Sequence, residues 1–251
     1  MGLGDTLRAA RRVKNSLSRP VCAAVIVAAG SATRMGGIDK VLAELDGLPV
    51  LSRTLRAFDD HEMVDSIVVV AREDQLEKIS RVCSPYHKVR VVVPGGKSRQ
   101  ESVMRGIAAV PEEAELVAVH DGARPLVSKE VIEKAILKAA KFGAAAPAIA
   151  VKDTIKVSKN GGVDQTPDRK TLFAAQTPQV FDRALLTGAL QSAMEKNITL
   201  TDDCSAIEAL GMTVMLTEGS EENIKITTPL DLEIAALILK RREANENRTR
   251  I

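Results

Sequence analysis

The segment VCAAVIVAAGSATRMGGIDK, residues 21–40, opens the rhythm on which the rest of the chain is built. Its first nine residues are apolar without a break. A strand with polar and apolar residues alternating has one wet face, whereas a continuous run expects cover on both faces, as in a parallel sheet. The run ends in a glycine-rich loop. Outward from it, similar runs recur as SIVVVA (66–71), KVRVVV (88–93) and LVAVH (116–120), with helix-period stretches at 49–58, 73–83, 99–109 and 128–141 between them. Ser128 stands where an N-cap belongs. This alternation predicts an open, doubly wound α/β domain with a mostly parallel sheet. Such sheets take ligands in the crevice outside the carboxyl ends of their strands.

After a small-residue strand at 144–151 the rhythm changes. Residues 152–172 are polar, carry a Gly161-Gly162 turn, and read as a two-stranded arm projecting from the domain. A lone hairpin is marginal in water, so the arm needs a surface to pack on, a second subunit being one candidate. Helices at 182–195 and 202–210, a strand MTVMLT (212–217) and a closing helix from 229 to about 242, with Pro229 in its first turn, complete the expected order. The expected organisation is a basic N-terminal extension (1–20), one domain (21–242) and a C-terminal tail (243–251).

Composition narrows the function. The net charge of +2 divides unevenly. Residues 1–20 carry a surplus of four positive charges and residues 240–251 a surplus of three, which leaves −5 in between. With no Trp, one Tyr and four Phe there is no aromatic platform for single-stranded nucleic acid. No nucleic-acid partner is expected. No apolar run approaches the ~20 residues that span a bilayer, so no membrane partner is expected either. Cys22, Cys83 and Cys204 are scattered and odd in number, which argues against a disulfide framework and for a reducing, cytoplasmic setting.

Five segments could carry chemistry. AAGSATRMGGIDK (28–40) follows the first strand and offers backbone N–H groups with Arg34 and Lys40 to a polyphosphate, although it matches neither G-x-G-x-x-G nor the P-loop pattern. PGGKSRQESV (94–103) allows a flat ligand close to the backbone, with Ser102 near the start of a helix. HDGARP (120–125) places Asp121 at a strand's carboxyl end, suited to a magnesium ion or a ribose hydroxyl, with Arg124 available to a phosphate. DRKTLFAAQTPQVF (168–181) is the fourth. The fifth, TDDCSAIEALG with GSEENIKITTPLDL (201–232), puts Lys225 in a short NIKIT strand, on the face opposite Ile224 and Ile226. Asp202 and Asp203 could pair on a metal, but first-turn acids facing a helix dipole is the preferred reading. His61, His87 and His120 are too dispersed for a metal cluster or a catalytic triad, and His120 is expected to support its loop. Cations, glycines and an aspartate suit phosphoryl or nucleotidyl transfer by positioning and electrostatics.

Together, from about residue 21 to 239, these segments resemble the 2-C-methyl-D-erythritol 4-phosphate cytidylyltransferase family, with five motifs in its order and spacing. The resemblance implies a Rossmann-like nucleotidyltransferase fold with a projecting β-arm, a homodimer, magnesium as cofactor, and transfer of CMP from CTP with loss of pyrophosphate. By motif, Arg34 and Lys40 would stabilise the α-phosphate, and Ala28, Ala29 and Gly30 would approach the nucleotide. Gly96, Lys97, Arg99 and Ser102 would surround the base. Asp121 and Arg124 would lie at the ribose, metal and second-substrate side, and Lys225 would hold phosphate. Thr154 and Arg169 would reach across the dimer, beside Thr177 and Thr201. Two departures stand out: Ala32 occupies a place where glycine is common, and Asp39 precedes Lys40 where proline is frequent, with its side chain expected to face away. Ribitol 5-phosphate is the alternative acceptor. A nicotinamide-dependent oxidoreductase is the alternative class, disfavoured because G-x-G-x-x-G and an acid after the second strand are both missing.

Overall fold

The computed structural model describes residues 19–30 and 39–249. Arg34, Ala32 and the basic extension up to residue 18 lie outside the described residues. Strand β1 (Cys22–Ala28) is followed by a small hairpin, β2 (Glu44–Leu45) and β3 (Leu48–Pro49), and by helix α1 (Val50–Asp59). Then come β4 (Ser66–Ala71), α2 (Leu76–Cys83), β5 (Val89–Pro94), α3 (Arg99–Ala108), β6 (Leu116–Asp121), α4 (Lys129–Phe142) and β7 (Ala144–Ala150). The second half holds β8 (Val157–Lys159), β9 (Gly162–Gln165), β10 (Phe173–Ala175), β11 (Gln179–Asp182), α5 (Arg183–Glu195), α6 (Cys204–Ala209), β12 (Met215–Glu218) and α7 (Pro229–Thr249).

Strands β5, β4, β1 and β6 lie side by side and parallel. Then β11 enters antiparallel between β6 and β7. Further along that same edge of β7 runs β10, also antiparallel, while β12 takes the opposite edge in parallel. Four of these seven pairings are parallel, as the continuous apolar runs require. Alternate residues of β1 feed two cores: Ala24 and Ile26 meet α1 and α4 through Leu55, Phe58 and Ile132, while Ala23 and Val25 meet α3 and α5 through Val103, Ile107 and Leu190. Each Val, Leu, Ile or Phe side chain among them, fully buried, contributes roughly 1.5–3 kcal/mol.

Several local expectations change. The arm is shorter than 152–172: only β8 and β9 form a hairpin, and its turn falls on Asn160-Gly161 rather than Gly161-Gly162. Both turn residues have positive φ, 52° and 81°, the pattern that Asn-Gly adopts in a tight hairpin. Strand β10 and all but the last residue of β11 lie within the segment first read only as a candidate site. The NIKIT segment is extended but pairs with no strand, since its one ladder-like bond runs from Ile226 N–H to Ala123 O (2.8 Å). Helix α7 continues to Thr249, so residues 243–249 are helix and not a separate tail. At the other end, Arg19 docks bidentately on Asp65, at 2.9 and 2.7 Å. All three cysteines are buried free thiols.

Close packing of α3 on the sheet depends on Gly106, where a Cβ would come within 2.5 Å of Val25 Cγ1 and 2.9 Å of Val70 Cγ2. A helix interior normally gains about 1 kcal/mol from Gly→Ala. Here overpacking of about 1–3 kcal/mol outweighs that gain. Gly106→Ala is therefore expected to lower the urea midpoint, and a raised midpoint would contradict this packing.

Candidate active site

Three loops meet where β1, β5 and β6 end. Gly95 N–H donates to Ala71 O at 2.7 Å, tying the loop after β5 to the end of β4. A Cβ on Gly95 would approach Ala29 Cβ to 2.6 Å, and one on Gly96 would meet Glu101 Cβ at 2.3 Å, so only glycine lets these backbones close. Lys40 Nζ lies 3.4 Å from where a Gly30 Cβ would stand, which brings the lysine back to the end of β1. Asp39 turns its carboxylate into its own turn, accepting from Val41 N–H (3.1 Å).

Helix α3 starts at an N-cap serine, with a glutamate reaching back to the residue before it. Ser98 Oγ accepts from Glu101 N–H (3.0 Å), and Glu101 Oε2 accepts from Lys97 N–H (2.8 Å). Ser102 Oγ accepts from Gly96 N–H (3.0 Å) and donates to Ser98 O (2.8 Å), so this hydroxyl shapes the loop. The Gly95 carbonyl accepts from Arg105 at 2.7 Å.

These loops enclose a cavity of about 320 Å³. Ala28, Ala29, Gly30 and Lys40 line one side of it, Gly96, Lys97, Arg99 and Ser102 another, and Asp121 and Lys225 its floor. Asp121 is nearly buried, with Lys225 Nζ 2.9 Å and Arg124 Nε 3.5 Å from Oδ2, and an Arg99 nitrogen 4.0 Å from Oδ1. Burial alone would push this carboxyl up, but Lys225, Arg99 and Arg124 outweigh it and hold it down at about 2. Arg99 makes a closer pair with Asp203, at 2.7 Å. Burial works against the Arg99 charge, yet Asp203 and Asp121 raise its pKa; burial pushes the Asp203 carboxyl up against the pull of Arg99. Burial also lowers Arg124, whose guanidinium donates to Asn223 O at 2.6 Å.

Beneath Asp121 the contacts fix a tautomer. His120 Nε2 lies 3.2 Å from Arg124 O, a pure acceptor, so Nε2 carries the proton. Nδ1 then accepts from the Thr177 hydroxyl (3.0 Å), whose oxygen accepts from Asp121 N–H (3.1 Å). Phe58 packs on the imidazole at 4.8 Å. Thr177 is thus buried behind the cavity, and His120 supports the loop as its sequence position implied.

Besides Thr177, four sequence-selected residues lie outside the cavity lining. Arg124 is behind Asp121. Thr154 is exposed in the stretch between β7 and β8. Arg169 donates to Lys152 O (2.6 Å) and lines a separate open groove of about 880 Å³ beside β7, β10 and β12. Thr201 is exposed, 3.0 Å from Ser205 Oγ in the turn before α6. Asp202 caps that helix, accepting from Ser205 N–H at 3.0 Å, which fits the dipole reading; its neighbour Asp203 turns inward to Arg99. Among the described residues no three His, Cys, Asp or Glu side chains gather as a metal cluster. Sequence reasoning read Asp203 as a helix-dipole acid rather than as the ion-pair partner of Arg99, and missed Gln179 and Asn223. Gln179 Oε1 accepts from Asp203 N–H (3.0 Å), and Asn223 Nδ2 donates to Thr177 O (2.9 Å).

Residues 22–241 match the family IspD, 2-C-methyl-D-erythritol 4-phosphate cytidylyltransferase. The protein of that name from Desulforamulus reducens is 45% identical over 224 residues, which cover 87% of this chain and 96% of that one. Its counterpart from Caldanaerobacter subterraneus subsp. tengcongensis is 45% identical over 223 residues, covering 87% and 98%. Among solved structures, 4-diphosphocytidyl-2C-methyl-D-erythritol synthase from Anaerococcus prevotii superposes with a TM-score of 0.80 at 32% identity, covering 88% of this chain and 99% of that one. The Thermus thermophilus 2-C-methyl-D-erythritol 4-phosphate cytidylyltransferase gives 0.72 at 31%, covering 86% and 98%.

Burial pushes the His120 imidazole from its ordinary 6.5 down to about 4. The unfolded chain therefore takes up a proton near pH 6.5 that the native state refuses until about pH 4. Native stability is complete above that window and falls as pH drops through it, by about 3 kcal/mol. Urea unfolding at pH 7 and 4.5 should show this loss in the native protein and a smaller loss in His120→Gln. Equal losses would refute a neutral buried imidazole.

Proposed function

The chain belongs to the 2-C-methyl-D-erythritol 4-phosphate cytidylyltransferase family, and on that basis we propose that it transfers CMP from CTP to 2-C-methyl-D-erythritol 4-phosphate in isoprenoid precursor synthesis. An oxygen of the acceptor phosphate attacks the α-phosphorus in line. The new P–O bond forms as the bond to the β-phosphate breaks, and pyrophosphate leaves. The observation that carries this reading is the cavity itself: Lys40, Lys97, Arg99 and Lys225 converge at the strand ends around one ionised carboxylate, beside backbone held open by glycine. A triphosphate and a phosphate are both anionic, and a chain whose middle sums to −5 must bind them by local concentration of cations.

In this reading Lys40, with Arg34, stabilises charge on the α-phosphate, and Ala28, Ala29 and Gly30 let the nucleotide approach. Gly96, Lys97 and Arg99 surround the base, and Ser102 acts by fixing the Gly96 N–H. Lys225 holds phosphate beside Asp121. Arg124 and Thr177 orient Asp121, the one through its charge and the other through its hydroxyl. Magnesium suits a site with one carboxylate, because it commonly binds through one or two carboxylates plus substrate phosphates. Asp121 would hold it, and the ion would neutralise triphosphate charge. We assign Thr154 and Arg169 to the acceptor of a neighbouring subunit, beside that subunit's Thr201, in a homodimer built through the arm. Exposed apolar side chains on the arm and groove, among them Val163, Phe173 and Leu216, support that assembly. Three buried free thiols accord with a cytoplasmic setting. The relatives' names favour methylerythritol phosphate over ribitol 5-phosphate as acceptor.

Purified protein with CTP and magnesium should form product and pyrophosphate with 2-C-methyl-D-erythritol 4-phosphate; turnover with ribitol 5-phosphate alone would reverse the choice. Lys40→Ala and Lys225→Ala are each expected to lower kcat by about 10²-fold or more, the scale of one lost preorganised donor. Mixing Arg169→Ala with Lys225→Ala subunits should recover part of the activity, since one composite site in the heterodimer is intact. Verified heterodimers without recovery would point to sites completed within one chain.

A further inference from the structure

Lys225 sits in the middle of an extended segment that leads from the loop after β12 into α7. The seven steps from Glu222 to Pro229 span about 23 Å when extended. The thirteen from Pro229 to Arg242 rise about 20 Å as helix. Hydrogen bonds tie the segment to the helix near both of its ends. At one end Arg242 Nε donates to Glu222 Oε2 (2.8 Å). At the other, Asp231 Oδ2 accepts from Thr227 N–H (2.8 Å), the Thr227 hydroxyl (2.7 Å) and Thr228 N–H (2.7 Å). Ile226 is fully buried and Ile224 partly so, in the core layer that holds Ala235 and Leu232 of α7. The side chain between them is directed the other way, onto Asp121.

Arg242 makes a second bond, from Nη2 to Leu126 O (2.9 Å). Leu126 closes the loop that carries Asp121 and Arg124. On the inner side these two loops are joined by Ile226 N–H to Ala123 O and by Arg124 to Asn223 O. Arg242 joins the same two loops on the outer side. We infer that Arg242 is a positioning residue, which holds Lys225 to Asp121 by pinning Glu222 and Leu126 together, itself touching neither Asp121 nor substrate. It lies one residue beyond the stretch that matches the family. A guanidinium can send diverging N–H groups to a carboxylate and a carbonyl at once, which a single ammonium on a flexible stem does poorly. The inference rests on the reading of Lys225 as the residue that holds phosphate.

The test compares full-length Arg242→Ala, Arg242→Lys and Glu222→Gln with the native protein. Kinetics are measured together with the rate at which an N-hydroxysuccinimide acetate labels Lys225, read by peptide mass spectrometry with Lys129 and Lys156 as references. The Arg242–Glu222 pair is about one-third exposed and adds little to global stability, so Arg242→Ala is expected to fold. It should lose about 10- to 100-fold in kcat, the scale of a displaced catalytic group. Lys225 labelling should rise several-fold against the references, with Arg242→Lys falling between. Should Arg242→Ala not fold, Glu222→Gln must show the rise. Native-like labelling of Lys225 in a folded variant overturns the inference. So does an Arg242→Ala loss that is undiminished in a Lys225→Ala background. Failure of the functional reading would look different: a native protein without CTP-dependent product, with Lys225 labelling still governed by Arg242.

Discussion

A carboxylate at the end of a strand buried on both faces is expensive to keep ionised, because an unpaired buried charge loses its hydration and gains nothing in return. Asp121 stays charged because Arg124 of its own loop, Arg99 at the start of α3 and Lys225 ahead of α7 all come to it. The requirement works in both directions. The three cations crowd one another, and only a carboxylate among them lets them approach so closely. Much of the surrounding architecture serves this balance: Asp203 draws Arg99 to one side, the Asn223 carbonyl anchors Arg124, and the extended segment beside α7 carries Lys225 inward. Replacing one member would change the charge seen by all the others.

The hydrogen bonds beneath Asp121 have a related logic. Each polar group there has one defined role: His120 donates on one side and accepts on the other, and Thr177 donates to the imidazole while accepting from the backbone. A network in which every member has a direction resists rearrangement, so the carboxylate above it is held by backbone as well as by charge. Only the neutral imidazole fits this pattern, since an imidazolium could not accept from Thr177.

The strong physical signals were legible in the residues alone. Continuous apolar runs needed cover on both faces, which produced β1, β4 and β6, and Gly95-Gly96 followed a strand because two loops had to touch. Lys225 between two isoleucines was read to the correct face although its segment is no strand, since alternation survives in any extended chain. Less was legible where meaning depends on a distant partner. Asp202 and Asp203 look alike in sequence, and only the position of Arg99 separates a helix cap from a buried ion-pair partner. Strand β11 is four residues long with a polar residue at each end, too little for a periodic signal. The C-terminal basic cluster gave no hint of function in composition, and Arg242 acquired its connections through helical rise alone.

The placement of β11 bears on the order in which the molecule can be assembled. β6 and β7 follow one another in sequence with α4 between them, yet they are not neighbours: the strand that joins them is synthesised about thirty residues after β7. A nascent chain that ends before residue 179 therefore has β6 with one edge bare, and such edges template pairing with other chains. The sheet becomes continuous only when β11 slides into the gap. Asp121, at the end of β6, gains the Thr177 hydroxyl from the residues just before β11, so closing the sheet and buttressing the carboxylate belong to the same step of synthesis.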